Sequence, residues 1–596
     1  MDIYLPHLLS LQEAAFEAPL EAAEPAAVLP LADRGELPMR PAEQVMQLDR
    51  LGSFHQFRLS FMRTLVRRMM AEKWSIENVT FDLDSGGFGT VVYRVQALYG
   101  RYSFVLFSNY LDDTLRNDRV IANQWDLTMA LCEGSVDSEQ LEQLRTNIPK
   151  QEAGRVDSRV LVLSRANKSA RNFDYVVDEL ARGEQPNIDR IAEVGYLYRT
   201  TAAYGSGKLG MADWDKVRSV HRDFARPFAA EMFTCFMLRH FSLQQVEFLA
   251  AQRAPATAVG LDDRIKRFFG IGNSTGLGMA PFLINHPKLI NQWVEVRETA
   301  LATVMRDGHC SAEKVEELRG FVCRVRQHLA EIVTEDALQK ASNVLVHDEL
   351  LQLLAWLDDF GPTLTDWQQL SEHASHYWRV ETQELINSLL IELFPELVDV
   401  LENHMDTDER YDCIPEMPVC DLLASIERAY DWALEFDFSE PVQRGIFWYR
   451  SEEKMEPRLG HTDIDAGADR QMQLVVARSV SECYRALNAY LGEYPDDDVA
   501  RFLMRQPQYR GIVCRIQTMA PLRYGEIREN LAHREILPMH LLRCKLSFFG
   551  VSKFDPRSRL WVRNTMFQGA PLVSDFLSSD AASLVDSWQF PVKPAF

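Results

Sequence analysis

Between Val79 and Ser108 the apolar residues recur at the period of a strand, and over most of the remaining chain they recur at the period of a helix. "VTFDLD", "TVVYRVQAL" and "RYSFVLFS" are short, rich in Val, Phe and Tyr, and separated by glycines, so they read as an antiparallel meander. Elsewhere Val315, Leu318, Val322, Val325, Leu329 and Ile332 keep a three-four spacing that must pack against another helix. Further helices are expected near 344–358, 380–404, 420–435 and 469–492, and Phe54, Phe57, Phe61 and Leu65 share one helical face, with Arg58, Arg63, Arg67 and Arg68 around it. "SRVLVLS" at 158–164 is the one strand expected before the long helical region, and "GIVCRIQT", "KLSFFGV" and "LWVRNTMF" are strand candidates after 507. The expected fold class is mainly α with α+β parts: a multi-helix core, a small antiparallel N-terminal sheet and a mixed C-terminal region.

A chain of 596 residues is too long for one ordinary core. Composition divides it into a proline-rich strap at 1–42, an α+β region at 43–150, a glycine-loop-bearing helical region at 151–300, a helical region at 301–440 and a mixed α+β region at 441–596. No internal repeat is visible.

With 86 acidic against 64 basic residues the net charge is −22, which argues against nucleic acid or an anionic membrane as partner. Any anionic ligand must meet a local cluster of Arg and Lys. No apolar run is long enough to span a bilayer, and the first 33 residues are acidic, the reverse of a secretory leader. The nine cysteines are scattered with no C-x-x-C pair, which suits a reducing cytoplasm and supports no zinc site. A cytoplasmic protein is expected, with the amphipathic helical faces offering a route to a homo-oligomer.

"GIGNSTGLGMAP" at 270–281 interrupts the helical pattern with four glycines. Gly272-Asn273-Ser274-Thr275-Gly276 satisfies the serine-hydrolase pattern G-x-S-x-G, but the preceding "LDDRIKRFFGI" is too charged for the buried strand that a nucleophile elbow needs. As a loop ahead of a helix it would instead cradle an anion, with Asn273, Ser274 and Thr275 as short donors. A second glycine-punctuated stretch, "YRTTAAYGSGKLGMADW", carries Arg199 and Lys208 but lacks the spacing and the Ser or Thr of a Walker A loop. "FWYRSEEKMEPRLG" gathers Arg450, Glu453, Lys454 and Arg458, and "LSRANKSARNF" and "APLRYGEIREN" add Arg165, Asn167, Lys168, Arg171 and Arg523.

Three short matches resemble protein kinases: "SGGFGTVVYRV", His221-Arg222-Asp223 and Asp359-Phe360-Gly361. The resemblance would imply an ATP-binding glycine loop and two catalytic acids. The strand after the loop has no lysine for phosphates, Phe228 stands where a metal-binding Asn is required, and a long helical stretch separates the two acids. "GNSTGLGMAP" also resembles the glycine-serine loop of the fumarase and aspartase superfamily, which implies a substrate loop; extra residues intervene here and no lysine follows the Met.

The acidic runs "HMDTDERYD" and "HTDIDAGADR" do not fit a calcium loop, so no metal ligand is assigned, and no motif names a cofactor. The expected function is a soluble enzyme acting on a small carboxylate or phosphate by proton transfer, of lyase or isomerase type. Glu453 and Lys454 would be the acid–base pair, with Arg199, Lys208, Asn273, Ser274, Thr275, Arg450, Arg458 and Arg523 holding the substrate. The alternatives are a serine acyl hydrolase using Ser274 and a non-catalytic helical interaction protein.

Overall fold

The computed structural model describes residues 37–596 apart from 112–124, 148–158, 201–216, 218, 277–282, 285, 406–409, 436–445, 451–456, 462–475, 528–535, 558–560, 579–583, 585 and 596. For 147, 274–276, 446–450, 457–461, 536–538 and 561 it describes the backbone. The chain divides into two units, Met1–Pro38 and Met39–Phe596, and every element below belongs to the second.

Nine strands form one mixed sheet: β1 (Ser75–Leu83), β2 (Gly89–Gln96), β3 (Arg101–Ser108), β4 (Leu127–Glu133), β5 (Val160–Lys168), β6 (Tyr196–Thr200), β7 (Gly270–Gly276), and two strands from the far end of the chain. Between these in sequence, β8 (Ile446–Arg450) and β9 (Pro457–His461) make a separate antiparallel pair. The last two strands of the large sheet are β10 (Lys553–Pro556) and β11 (Trp561–Met566), and its order is β1-β2-β3-β4-β5-β6-β7-β11-β10. Neighbours are antiparallel except β6 and β7, which run parallel.

This corrects the expected fold class. The sheet is large and is not confined to the N-terminal region; the predicted meander is only its first three strands. The largest error falls on "GIGNSTG", read as a loop and found as a strand paired on both sides, to β6 and to β11. Its glycines give no intrinsic strand preference. They are required by close approach: a Cβ on Gly270 would lie 2.4 Å from the Met566 carbonyl oxygen, and one on Gly272 would lie 2.5 Å from the Tyr196 ring. Neighbouring strands, rather than local propensity, make this segment extended.

The helices that matter below are α1 (Phe61–Ala71), α2 (Ser138–Asn147), α3 (Phe173–Ala181), α4 (Ala229–Arg253), α5 (Pro287–Asp307), α6 (Ala312–Glu331), α7 (Ala337–Phe360), α8 (Val380–Glu392), α9 (Val419–Ala429), α10 (Val476–Glu493), α11 (Arg510–Met519) and α12 (Ile536–Phe549). Two strand candidates are therefore helical: "GIVCRIQT" lies in α11 and most of "KLSFFGV" in α12. In α11 the buried Val513, Ile516 and Met519 recur every three residues, a helical stripe that outweighs β-branched composition. The α1 region also differs from expectation. Helix starts only at Phe61, so Phe54 and Phe57 precede it, and Arg58 and Arg63 are buried against Asp399 and Glu392.

One face of the sheet lies under α4. Tyr93 and Tyr198 donate from β2 and β6 to Gln244 and Gln245 at 2.6 and 2.7 Å, and Gln245 donates to the Gly87 carbonyl at 3.0 Å. Arg239, fully buried in α4, donates to the carbonyls of Phe269, Lys266, Arg267, Ala570 and Pro571, so it ties the helix to the segments flanking β7 and β11. On the opposite face, α2 contributes Leu144 to a cluster with Val92, Val105, Phe107, Ala130, Cys132 and Val160. Among the described residues no helix is long and apolar enough to cross a membrane.

Candidate functional site

Strand alternation sorts the central side chains onto two faces. On β6, Tyr198 faces α4, so Arg199 stands on the opposite face. Asn167 is its direct partner on β5 and Gly272 its partner on β7. Gly272 is opposite Thr565 on β11, which is opposite Lys553 on β10. A polar row thus crosses five strands: Asn167, Arg199, Gly272, Thr565 and Lys553. Two residues along each strand, Arg165 and Arg563 stand on the same face, Arg563 opposite Asp555.

Arg199 and Arg563 are separated laterally by two strand spacings, roughly 10 Å. The strand between them contributes a glycine, and the Tyr196 ring occupies the space over it. The Arg165 guanidinium lies 4.0 Å from the centroid of the Trp125 ring, which fixes it by cation–π contact and burial. Asp126, fully buried, accepts from the Lys168 backbone N–H at 2.9 Å, and its own N–H donates to the Asn167 side chain at 3.1 Å. That pair fixes which way Asn167 presents its amide. Lys553 donates from Nζ to the carbonyls of Ala192 and Glu193 at 3.2 and 3.0 Å. Burial lowers its pKa to about 8, against the raising effect of Asp555.

The opposite side of the same strands is polar as well, but closed. Ser164 and Thr200 share a hydrogen bond of 3.1 Å, and Asn273 donates to the Thr200 carbonyl at 2.9 Å. Asn273 is therefore a buried tie between β6 and β7 and stands beside Asn564 in register.

The predicted residues accordingly fall into five groups. Arg199 and Asn273 are brought onto adjacent parallel strands, on opposite faces. Ser274 and Thr275 are in β7, paired in register with Arg563 and Val562, and their side chains lie outside the described residues. Arg450 and Arg458 occupy β8 and β9, described by backbone only, while Lys208, Glu453 and Lys454 lie outside the described residues. Arg523 is elsewhere, exposed in the turn after α11, where its charge acts on Glu295 of α5. Three of the five polar segments, those around 165, 199 and 272, lie on adjacent strands of the sheet; the segment around 523 is not in the sheet.

Arg563 was missed. "LWVRNTMF" is a strand candidate, and alternation along it puts Val562, Asn564 and Met566 on one face and Arg563 and Thr565 on the other. That pattern was legible; its pairing with the glycine segment was not.

A second chemistry-bearing place lies at the start of α4. Glu231 and Lys545 of α12 are both buried, and each feels the other's charge. Burial raises the Glu231 pKa to about 7 and lowers that of Lys545 to about 7. The kinase-like acid Asp223 is structural: fully buried, it accepts from the Tyr99 N–H at 3.1 Å and the Tyr102 hydroxyl at 2.9 Å, while Asp359 is exposed on α7. Among the described residues no group of three His, Cys, Asp or Glu side chains is placed to hold a metal. No family model, curated protein or solved structure matches the chain.

Proposed function

We propose that the protein binds a small anionic molecule, a carboxylate or a phosphate, on the sheet face that carries Arg165, Arg199 and Arg563. The observation that supports this most is the grouping of three arginines on one face of neighbouring strands in a chain whose net charge is −22. Guanidinium groups fixed on strands bind carboxylate or phosphate oxygens in bidentate fashion with less loss of freedom than loop lysines. Asn167, oriented by Asp126, adds an amide to the same row.

Proton-transfer chemistry of lyase or isomerase type, with Glu453 and Lys454 as acid and base, is the catalytic form of this proposal. The serine-hydrolase form is less well supported, because an elbow needs a sharp turn at the nucleophile and Ser274 lies in an extended strand paired on both sides. Thermal denaturation across a panel of small carboxylates, phosphate and phosphate esters tests the reading. A ligand of this class at a hundred times its Kd should add about 2.7 kcal/mol to apparent stability. Uniform failure of the panel to raise the melting temperature would count against it.

A further inference from the structure

We propose that the groove between α6 and the C-terminal segment is a second ligand site, one that takes an aromatic carboxylate. The groove holds about 530 Å³ and is lined by Glu317, Gly320, Phe321, Cys323, Arg324 and Gln327 of α6 and by Val592. Its volume is in the range of small-molecule sites. Its far wall is held in place: His328 Nδ1 lies 2.7 Å from the Pro591 carbonyl oxygen, and the Lys593 N–H donates to Glu331 at 2.7 Å.

Two features of α6 ask for a ligand. The first is Arg324, half-buried in the groove with no ion pair or hydrogen bond among the described residues. Its pKa is lowered by burial with no acid to offset it. The one carboxylate on the rim, Glu317, is held by Lys314 at 2.8 Å. A half-desolvated guanidinium without a counter-charge gains from one, and a carboxylate entering the groove would supply it.

The second is Gly320, in the middle of a 20-residue helix, where glycine is the poorest choice after proline. Neither usual reason for glycine applies, since its φ is not in the left-handed region and a Cβ there would meet nothing within 4 Å. What the missing side chain does is leave the groove open beside Phe321. The apolar surfaces of Phe321 and Val592 then suit the ring of the ligand, and Arg324 its carboxylate.

Cys323, exposed at the groove, is a built-in reporter. The rate of maleimide labelling of Cys323, read by peptide mass spectrometry, should fall at least threefold in millimolar benzoate or phenylacetate and stay unchanged in benzyl alcohol. Arg324→Gln should abolish the protection. Gly320→Leu, which fills the groove while improving helix propensity, should abolish it without lowering the melting temperature. Protection that survives Arg324→Gln, or no protection by either carboxylate, would overturn the proposal.

Discussion

Glu384 shows how single residues hold this molecule together. It is fully buried in α8 and accepts from Arg40 at 2.7 Å and Arg50 at 2.6 Å, with Arg297 of α5 at 2.8 Å. Burial alone would raise its pKa, but the guanidinium groups outweigh burial and hold it well below the usual carboxylate range. A depressed carboxylate contributes stability above its unfolded pKa and loses it as pH falls through the folded one. Acid unfolding should therefore steepen below about pH 4.5, and Glu384→Ala should destabilise by about 3–5 kcal/mol at pH 7 by leaving three arginines, Arg40, Arg50 and Arg297, without their shared buried carboxylate. Urea titrations of the two proteins at several pH values check both.

The Glu231 and Lys545 pair has the opposite sign on each side of neutrality. Glu231, with a folded pKa near 7, binds more protons folded than unfolded between about pH 4.5 and 7, so stability falls as pH rises through that window. Lys545, lowered to about 7, binds fewer protons folded than unfolded between about 7 and 10.5, so stability rises again there. Unfolding free energy should show a local minimum near pH 7. The double variant Glu231→Met with Lys545→Met should remove the dip and add about 1–4 kcal/mol at neutral pH, since replacing interacting buried charges by apolar side chains of similar volume is often stabilising. A monotonic pH profile in the unmodified protein would contradict this.

Among the elements, β7 carries the sharpest expectation. Gly270→Ala places a Cβ against a backbone carbonyl that cannot step aside, and Gly272→Ala places one against the Tyr196 ring. Each should cost about 1–3 kcal/mol by overpacking, with Gly270 the worse. Gly511→Ala in α11, where a Cβ meets nothing within 4 Å, should instead be neutral or stabilising by up to about 1 kcal/mol. Equal denaturation midpoints for all three would mean that β7 is not held as described.

The same element shows what a single sequence reveals. The meander at 79–108 and the α6 helix were legible because their periodicity is local, repeated over several turns or residues. "GIGNSTG" has no such signal, as its extended form comes from partners 70 residues before it and 290 after it in sequence. For that reason the arginines were legible as charged segments, while their common face was not. Arg165 and Asn167 sit within a mixed polar segment, and Arg199 stands ahead of a glycine-rich stretch. None of these local features says that β5, β6, β7 and β11 are neighbours.

At the scale of the whole molecule, the sheet joins distant parts of the chain: β11, near the C-terminus, covers one edge of β7, and β6 covers the other. Truncation after Phe549 removes β10 and β11 and would leave β7 with a raw edge and the Arg239 anchor without its Ala570 and Pro571 acceptors. Such a protein should lose cooperative unfolding and near-ultraviolet dichroism. Arg165, Arg199 and Arg563 reach one face of the sheet from strands far apart in sequence, β5 and β6 on one side and β11 on the other.

The most direct measurement is calorimetric titration of the best carboxylate or phosphate from the thermal panel into the unmodified protein, Arg199→Gln, Arg563→Gln and Arg324→Gln. Loss of one charge-assisted hydrogen-bonding group is worth about 1.5–3 kcal/mol, so Arg199→Gln and Arg563→Gln should each weaken binding roughly ten- to a hundredfold. Arg324→Gln, in the separate groove, should leave that Kd unchanged. Binding that is indifferent to Arg199 and Arg563 would contradict anion recognition by the sheet face.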